Sequence, residues 1–191
     1  MSDEALMGRL NKKNDPKALT ELYARYSKKL LGYFINMFGG DVEKAEDFLQ
    51  DIFIKIMEKG HQFDSSRKFY SWIFTIASNM CKTEFRKPQI KHLTSEKDQE
   101  TVNSLRMVDD NLMDSKTFKI DLKQSINSLS HDHKAVFVLR YHQNFSMQEI
   151  ADITDSNIGT VKSRLFYATK KVTEQLKGYK PENDSPQFKM N

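Results

Sequence analysis

Only one cysteine, Cys81, occurs in the 191 residues. A lone thiol excludes an internal disulfide framework and any metal cage built from cysteine alone. No stretch is apolar for long enough to span a bilayer. The opening MSDEALMGRL also lacks the apolar centre of a secretory signal, so a cytoplasmic protein with no membrane span is expected. Glycine and proline are scarce, at 7 and 4. No glycine-rich phosphate loop, nucleophile elbow or metal-ligand cluster can be found, and neither an enzyme nor a cofactor is expected. The histidines at 61, 92, 131, 133 and 142 have no metal-ligand spacing. What the chain does have is charge, 29% of residues, with a net +4 that leans toward an anionic partner.

Long stretches repeat with helical period. Asp15-Pro16 is a helix start, and Leu19, Leu22, Tyr23, Tyr26, Leu30, Phe34, Met37 and Phe38 form one apolar stripe up to a Gly39-Gly40 stop. Asp41 can cap a second helix whose apolar side is Ala45, Phe48, Leu49, Ile52, Phe53, Ile56 and Met57. Its outer side carries Glu46, Asp47, Gln50, Asp51 and Lys55. Paired carboxylates can serve acid–base or metal chemistry. Here they sit on an open helix with no histidine near in sequence, so a solvated face is expected. After Gly60 and the polar loop HQFDSSRK, a third helix has Phe69, Trp72, Ile73, Ile76, Ala77, Met80 and Cys81 on its apolar side and ends near Pro88. The placement of Cys81 points to a buried, inert thiol. A short helix over 4–12 precedes these three.

From Pro88 to about Thr117 the period fades, and six acids outnumber four cations. This is a linker, longer than a connection inside a compact domain. Helical pattern resumes with Phe118, Leu122, Ile126 and Leu129, then AVFVLRY at 135–141, where Ser130 can cap the helix. The expected organisation is an all-α chain of two helical domains, each with its own core. They cover 1–88 and 118–178, joined by a linker over 89–117 and followed by a disordered tail over 179–191.

The segment EIADITDSNIGTVKSRL at 149–165 carries the sharpest local signal. Ser146 and Glu149 make a capping box. Ile150, Ala151 and Ile153 mark one apolar stripe, and Ile158, Val161 and Leu165 another. Thr154-Asp155-Ser156-Asn157 turns the chain between them. A capped short helix, a polar turn and a longer helix with a basic outer face make a helix-turn-helix. Asn157 can cap the second helix, Thr160 keeps its leading edge slim, and Lys162, Ser163, Arg164, Tyr167 and Lys170 face away from the apolar stripe. Those residue types suit phosphates and base edges in a DNA major groove.

INSLSHDHKAVFVLRYHQNFSMQEIADITDSNIGTVKSRLFYATKKVTEQL closely resembles the carboxy-terminal domain of extracytoplasmic-function sigma factors, initiation subunits of bacterial RNA polymerase. EKAEDFLQDIFIKIM at 43–57 is similar to that family's polymerase-binding helix, and FYSWIFTIASNMCKTEFRK at 69–87 to its promoter-melting helix. The resemblance implies core RNA polymerase and promoter DNA as partners, and allows an anti-sigma factor. The free chain is expected to be a monomer. Glu46, Asp47, Gln50 and Asp51 would then dock on the polymerase. Asn79 and the loop Phe63, Asp64, Ser65, Ser66, Arg67 and Lys68 would form a pocket for a base flipped from the −10 element, with Lys82, Arg86 and Lys87 beside it. The −35 duplex would meet Asn157, Thr160, Lys162, Ser163, Arg164, Phe166, Tyr167 and Lys170, and the acidic linker would thread into polymerase channels built for nucleic acid.

Four positions depart from the family pattern. Ser130 replaces a proline, Asp155 a glycine, Thr83 an aspartate and Tyr167 a basic residue. A stand-alone helix-turn-helix regulator is the alternative reading, but it leaves residues 15–88 without a role.

Overall fold

In the computed structural model, residues 1–13, 15–87 and 115–179 are described. They form eight α-helices: α1 (Asp3–Lys13), α2 (Pro16–Met37), α3 (Val42–Lys59), α4 (Phe69–Arg86), α5 (Ser115–Asn127), α6 (His131–Tyr141), α7 (Met147–Thr154) and α8 (Ile158–Gln175). Short 3-10 turns cover Gly60–Gln62 and Lys177–Tyr179. None of these helices is long and apolar enough to cross a membrane. Most of the expected linker, His92 included, and the tail beyond Tyr179 lie outside the described residues.

The helix ends follow their local chemistry. The Asp15 carboxylate accepts from the Lys17 amide, with Pro16 in the first turn of α2, and the Asp41 carboxylate accepts from the Lys44 amide of α3. Gly39 and Gly40 have φ of 72° and 101°, left-handed values that glycine adopts without penalty, and they reverse the chain between α2 and α3. At the start of α4 the cap comes from far away. Lys68 supplies no side-chain cap, and the Phe69 amide donates instead to the Glu4 carboxylate of α1 at 3.2 Å. Hydrogen bonds from its own backbone and from Phe69 hold the Glu4 carboxyl below its usual range.

Aromatic contacts knit the first half. Phe48 meets Phe38 edge-on at 4.6 Å, Tyr33 meets Phe74 at 5.5 Å, and Tyr26 meets Phe69 at 5.2 Å. The sequence stripes are borne out at Leu22, Tyr26, Leu30, Phe34, Ile52, Ile56, Ile73 and Cys81, all buried. Burial pushes the Cys81 thiol far above its ordinary range, which keeps it protonated and unreactive.

In the second half α6, α7 and α8 pack together with α5 across α8. Three expectations need correction. Helix α5 begins at Ser115 rather than Phe118. Tyr179, assigned to the tail, is ordered: its hydroxyl donates to Asp121 at 2.5 Å and its ring meets Phe118. Ser130 holds the cap position of α6, yet its hydroxyl makes no cap bond.

The two halves do not keep separate cores. Phe145, 1% exposed in the connection between α6 and α7, stacks on Tyr70 at 4.6 Å and meets Phe74 edge-on at 5.2 Å. One apolar cluster therefore runs through both halves. Helix α4 lies in the middle, against α2 and α3 on one side and α6 and α7 on the other. Phe74 and Ser78 are buried there, with Tyr33 of α2 and Phe145 both against Phe74.

Candidate nucleic-acid and polymerase interfaces

The helix-turn-helix is built as its residues dictate. The Ser146 hydroxyl accepts from the Glu149 amide while the Glu149 carboxylate accepts from the Ser146 amide, so two orphan donors at the start of α7 are satisfied together. Those bonds, with Lys68 nearby, hold the Glu149 carboxyl below its ordinary range. Asp155 ends α7 in the left-handed region at φ 49°, a conformation that aspartate tolerates better than most residues. Asn157 then caps α8, accepting from the Thr160 amide at 2.7 Å. Ala151 of α7 is buried, 3% exposed, where there is little room for a larger side chain.

On α8, Lys162, Ser163, Phe166, Tyr167 and Lys170 are exposed, with Phe166 at 63% and Tyr167 at 58%. Thr160 is half-buried and Asn157 exposed. Ile158 was expected in the apolar stripe, but as the first residue of α8 it projects beyond the packed part of the helix and is 41% exposed. Arg164 differs from the other cations. Its guanidinium donates to the Asp132 carboxylate at 2.5 Å and to the Ser156 hydroxyl at 3.1 Å. Burial alone would raise the Asp132 carboxyl. The hydrogen bond from His131 and the charges of Arg164 and Lys82 outweigh that effect and keep it below its usual range.

In the first half, the loop 63–68 is closed by an Asx turn, with the Asp64 carboxylate accepting from the Ser66 amide at 2.9 Å. Asp64, Ser65, Ser66, Arg67 and Lys68 are exposed. Phe63 is packed on Phe69 and Trp72 at 5.8 and 5.1 Å, which makes it part of the framework. Asn79, Arg86 and Lys87 are exposed along α4, with Lys82 half-buried. The loop 63–68 runs into the start of α4, and Asn79 lies further along that helix. About 15 Å of helical rise separates Asn79 from Phe69, at 1.5 Å per residue. Asn79 instead lines a cleft of about 140 Å³ with Ser78, Lys82, Asp132, Ser156 and Arg164. Sequence periodicity offered no signal for this grouping, since its members come from α4, α6, the turn after α7, and α8.

The α3 face is open. Glu46, Asp47, Gln50 and Asp51 are all exposed, and the same side of the helix continues into Ile54 and Met57, 47% and 52% exposed. Among the described residues no group of histidine, cysteine and acidic side chains could hold a metal ion.

Comparisons with known proteins agree with this arrangement. Residues 22–89 match the Sigma-70 region 2 family and residues 119–172 the Sigma-70 region 4 family. The ECF RNA polymerase sigma-E factor of Haemophilus influenzae is 29% identical over 184 residues, covering 92% of this chain and 96% of that protein. The RNA polymerase sigma-H factor of Pseudomonas aeruginosa is 28% identical, covering 91% and 93%. Among solved structures, the sigma factor RpoE from Bartonella quintana, in complex with the anti-sigma factor NepR, matches with a TM-score of 0.67 at 25% identity, covering 86% of this chain and 99% of that one. A region 2 module followed by a region 4 module defines a sigma factor, the RNA polymerase subunit that starts transcription. Within that class, the chain belongs to the extracytoplasmic-function sigma factor family.

Proposed function

We propose that residues 1–88 bind core RNA polymerase and capture the opened −10 element, and that residues 118–178 read the −35 element as duplex. The observation that carries this reading is the open acidic face of α3 together with the cations of α4 and of α8. Asp47 and Asp51, with exposed Ile54 and Met57, suit a protein partner that offers both cations and apolar groups. Lys82, Arg86 and Lys87 on α4 suit the backbone of a separated strand, and Asn79 can hydrogen-bond an extruded base. On α8, Lys162 and Lys170 suit phosphates, Arg164 a guanine edge, and Phe166 and Tyr167 the apolar part of the groove, including thymine methyls.

The polymerase performs the catalysis, and the chain acts in the cytoplasm where polymerase and DNA are found. An anti-sigma factor is a natural further partner, as it is for the Bartonella quintana relative. Run-off transcription with purified core polymerase over a promoter library tests this assignment. Promoter-dependent product that requires the chain is expected. Tight binding to duplex operators by the chain alone, with no such product, would overturn it.

A further inference from the structure

Helix α1 lies ahead of residues 22–89, the part matched to the region 2 family, and two of its side chains converge on one loop. That loop joins α3 to α4 and presents Asp64, Ser65, Ser66, Arg67 and Lys68 to solvent. Glu4 and Asn11 lie about two turns apart on one face of α1, roughly 10 Å along its axis at 1.5 Å per residue. They take the two ends of the loop. The Asn11 side-chain amide donates to the Gly60 carbonyl at 2.6 Å, where α3 ends. The Glu4 carboxylate accepts from the Phe69 amide at 3.2 Å, where α4 begins. Between them lies Met7, wholly buried. A Cβ on Gly60 would press on Met7 and collide with the Asn11 side chain.

The helix is itself held in place. Asp3 accepts from the Tyr26 hydroxyl and, at 2.6 Å, from Arg25, while Arg9 is paired with Asp15. Leu6 and Leu10 are buried in the apolar cluster. Within the loop, the Asx turn at Asp64 and the packing of Phe63 on Phe69 and Trp72 remove further freedom. A short segment pinned at both ends and turned in the middle keeps few conformations. Asn11 is exposed and Glu4 half-buried, and both bonds run to backbone at the loop's ends rather than into the core. What they fix is the shape of the loop.

We propose that α1 is a brace for −10 recognition, with Glu4 and Asn11 as positioning residues that set the loop 63–68. Neither side chain touches DNA in this role. The inference rests on the −10 reading above, with this loop at the extruded base, and it names what holds the loop there. The backbone has to be set before a base arrives, since a recognition site loosened by more than about 0.5 Å loses discrimination.

Selection from randomised −10 sequences with the reconstituted holoenzyme tests this, because ratios among promoters do not depend on how much of a variant is folded. Glu4→Ala with Asn11→Ala should bind core polymerase like the parent and keep the −35 preferences. Its preference among bases at the extruded position should fall about tenfold. Glu4→Gln retains an oxygen that can accept from the Phe69 amide, so with Asn11 intact it should keep most of the parent's preference. Hydrogen exchange in the double variant should quicken over residues 60–69 while α2 and α3 stay protected. Ser65→Ala with Ser66→Ala and Arg67→Ala strips the loop itself and serves as the reference. Altered −10 preferences in the loop variant, beside unchanged ones in the α1 variant, overturn the inference and leave the loop's assignment standing. Unchanged preferences in both remove the loop from −10 reading, and the brace falls with it. A proportional loss of transcription at every promoter, with preferences intact, would show that α1 serves stability alone and also overturn the inference.

Discussion

Arg164 of α8 and Asp132 of α6 are joined at 2.5 Å, across 32 positions of sequence. The carboxylate fixes the guanidinium fork in one orientation, with the Ser156 hydroxyl as its second support. Arginine reads guanine through that fork, so orientation is part of the recognition. Arg164→Ala should relax preference at one base pair of the −35 element and cost roughly 1–3 kcal/mol. Asp132→Ala should blur preference at the same pair with a smaller loss of affinity. Lys162, exposed and without a described partner, should behave differently. Its alanine variant should weaken all promoters alike and lower the salt slope by about one. Selection from randomised −35 sequences at several salt concentrations separates the three. An Arg164→Ala selection with the parent's base preferences would remove Arg164 from sequence reading.

The α3 face gives a second expectation. Asp47→Arg with Asp51→Arg should leave helicity and thermal midpoint near the parent's, because both residues are exposed. Affinity for core polymerase should fall by tenfold or more, about 1.4 kcal/mol. Competition for core polymerase against the parent chain measures this directly. Unchanged affinity would take this face out of the interface.

Asn79 is expected to matter only after strand separation. Asn79→Ala should reduce the permanganate reactivity of thymines in the −10 region while the closed complex forms normally. Equal thymine reactivity in variant and parent would show that no base is held there.

Acidification should loosen the fold. Burial holds both His131 and His142 below the ordinary histidine value of 6.5. A depressed histidine is neutral when folded and takes up a proton more readily when unfolded. Its contribution to stability is therefore complete above pH 6.5 and is lost as the pH falls below that value. The thermal midpoint should drop between pH 7.5 and 5.5, by about 2–4 °C for each kcal/mol lost. His131→Gln combined with His142→Gln should flatten that dependence. A parent chain with the same midpoint at both pH values would contradict the assignment.

The local rules were legible where one short stretch holds the whole cause. The caps at Asp15, Asp41, Ser146 and Asn157 and the left-handed Asp155 needed only their neighbours in sequence. What escaped was set by partners distant along the chain. Helix α4 reads as having one apolar face because Tyr70 and Phe74, beside that face, find part of their cover in Phe145, distant along the chain. Nothing near Phe145 in sequence shows that Tyr70 and Phe74 receive it. Lys134, 6% exposed, was invisible as a buried group; its ammonium donates to Asn127 and burial lowers its pKa. Arg164 was legible as a cation on the right helix. Its tie to Asp132 was not, since no period links positions 132 and 164.

The shared aromatic seat bears on any attempt to study the halves apart. Cutting the chain between residues 87 and 115 would uncover the faces of Tyr70 and Phe74 that Phe145 now covers in one piece, and Phe145 itself in the other. Uncovered rings of that kind favour self-association. The separated pieces should therefore be less soluble alone than together, and mixing them should restore the missing lid to each.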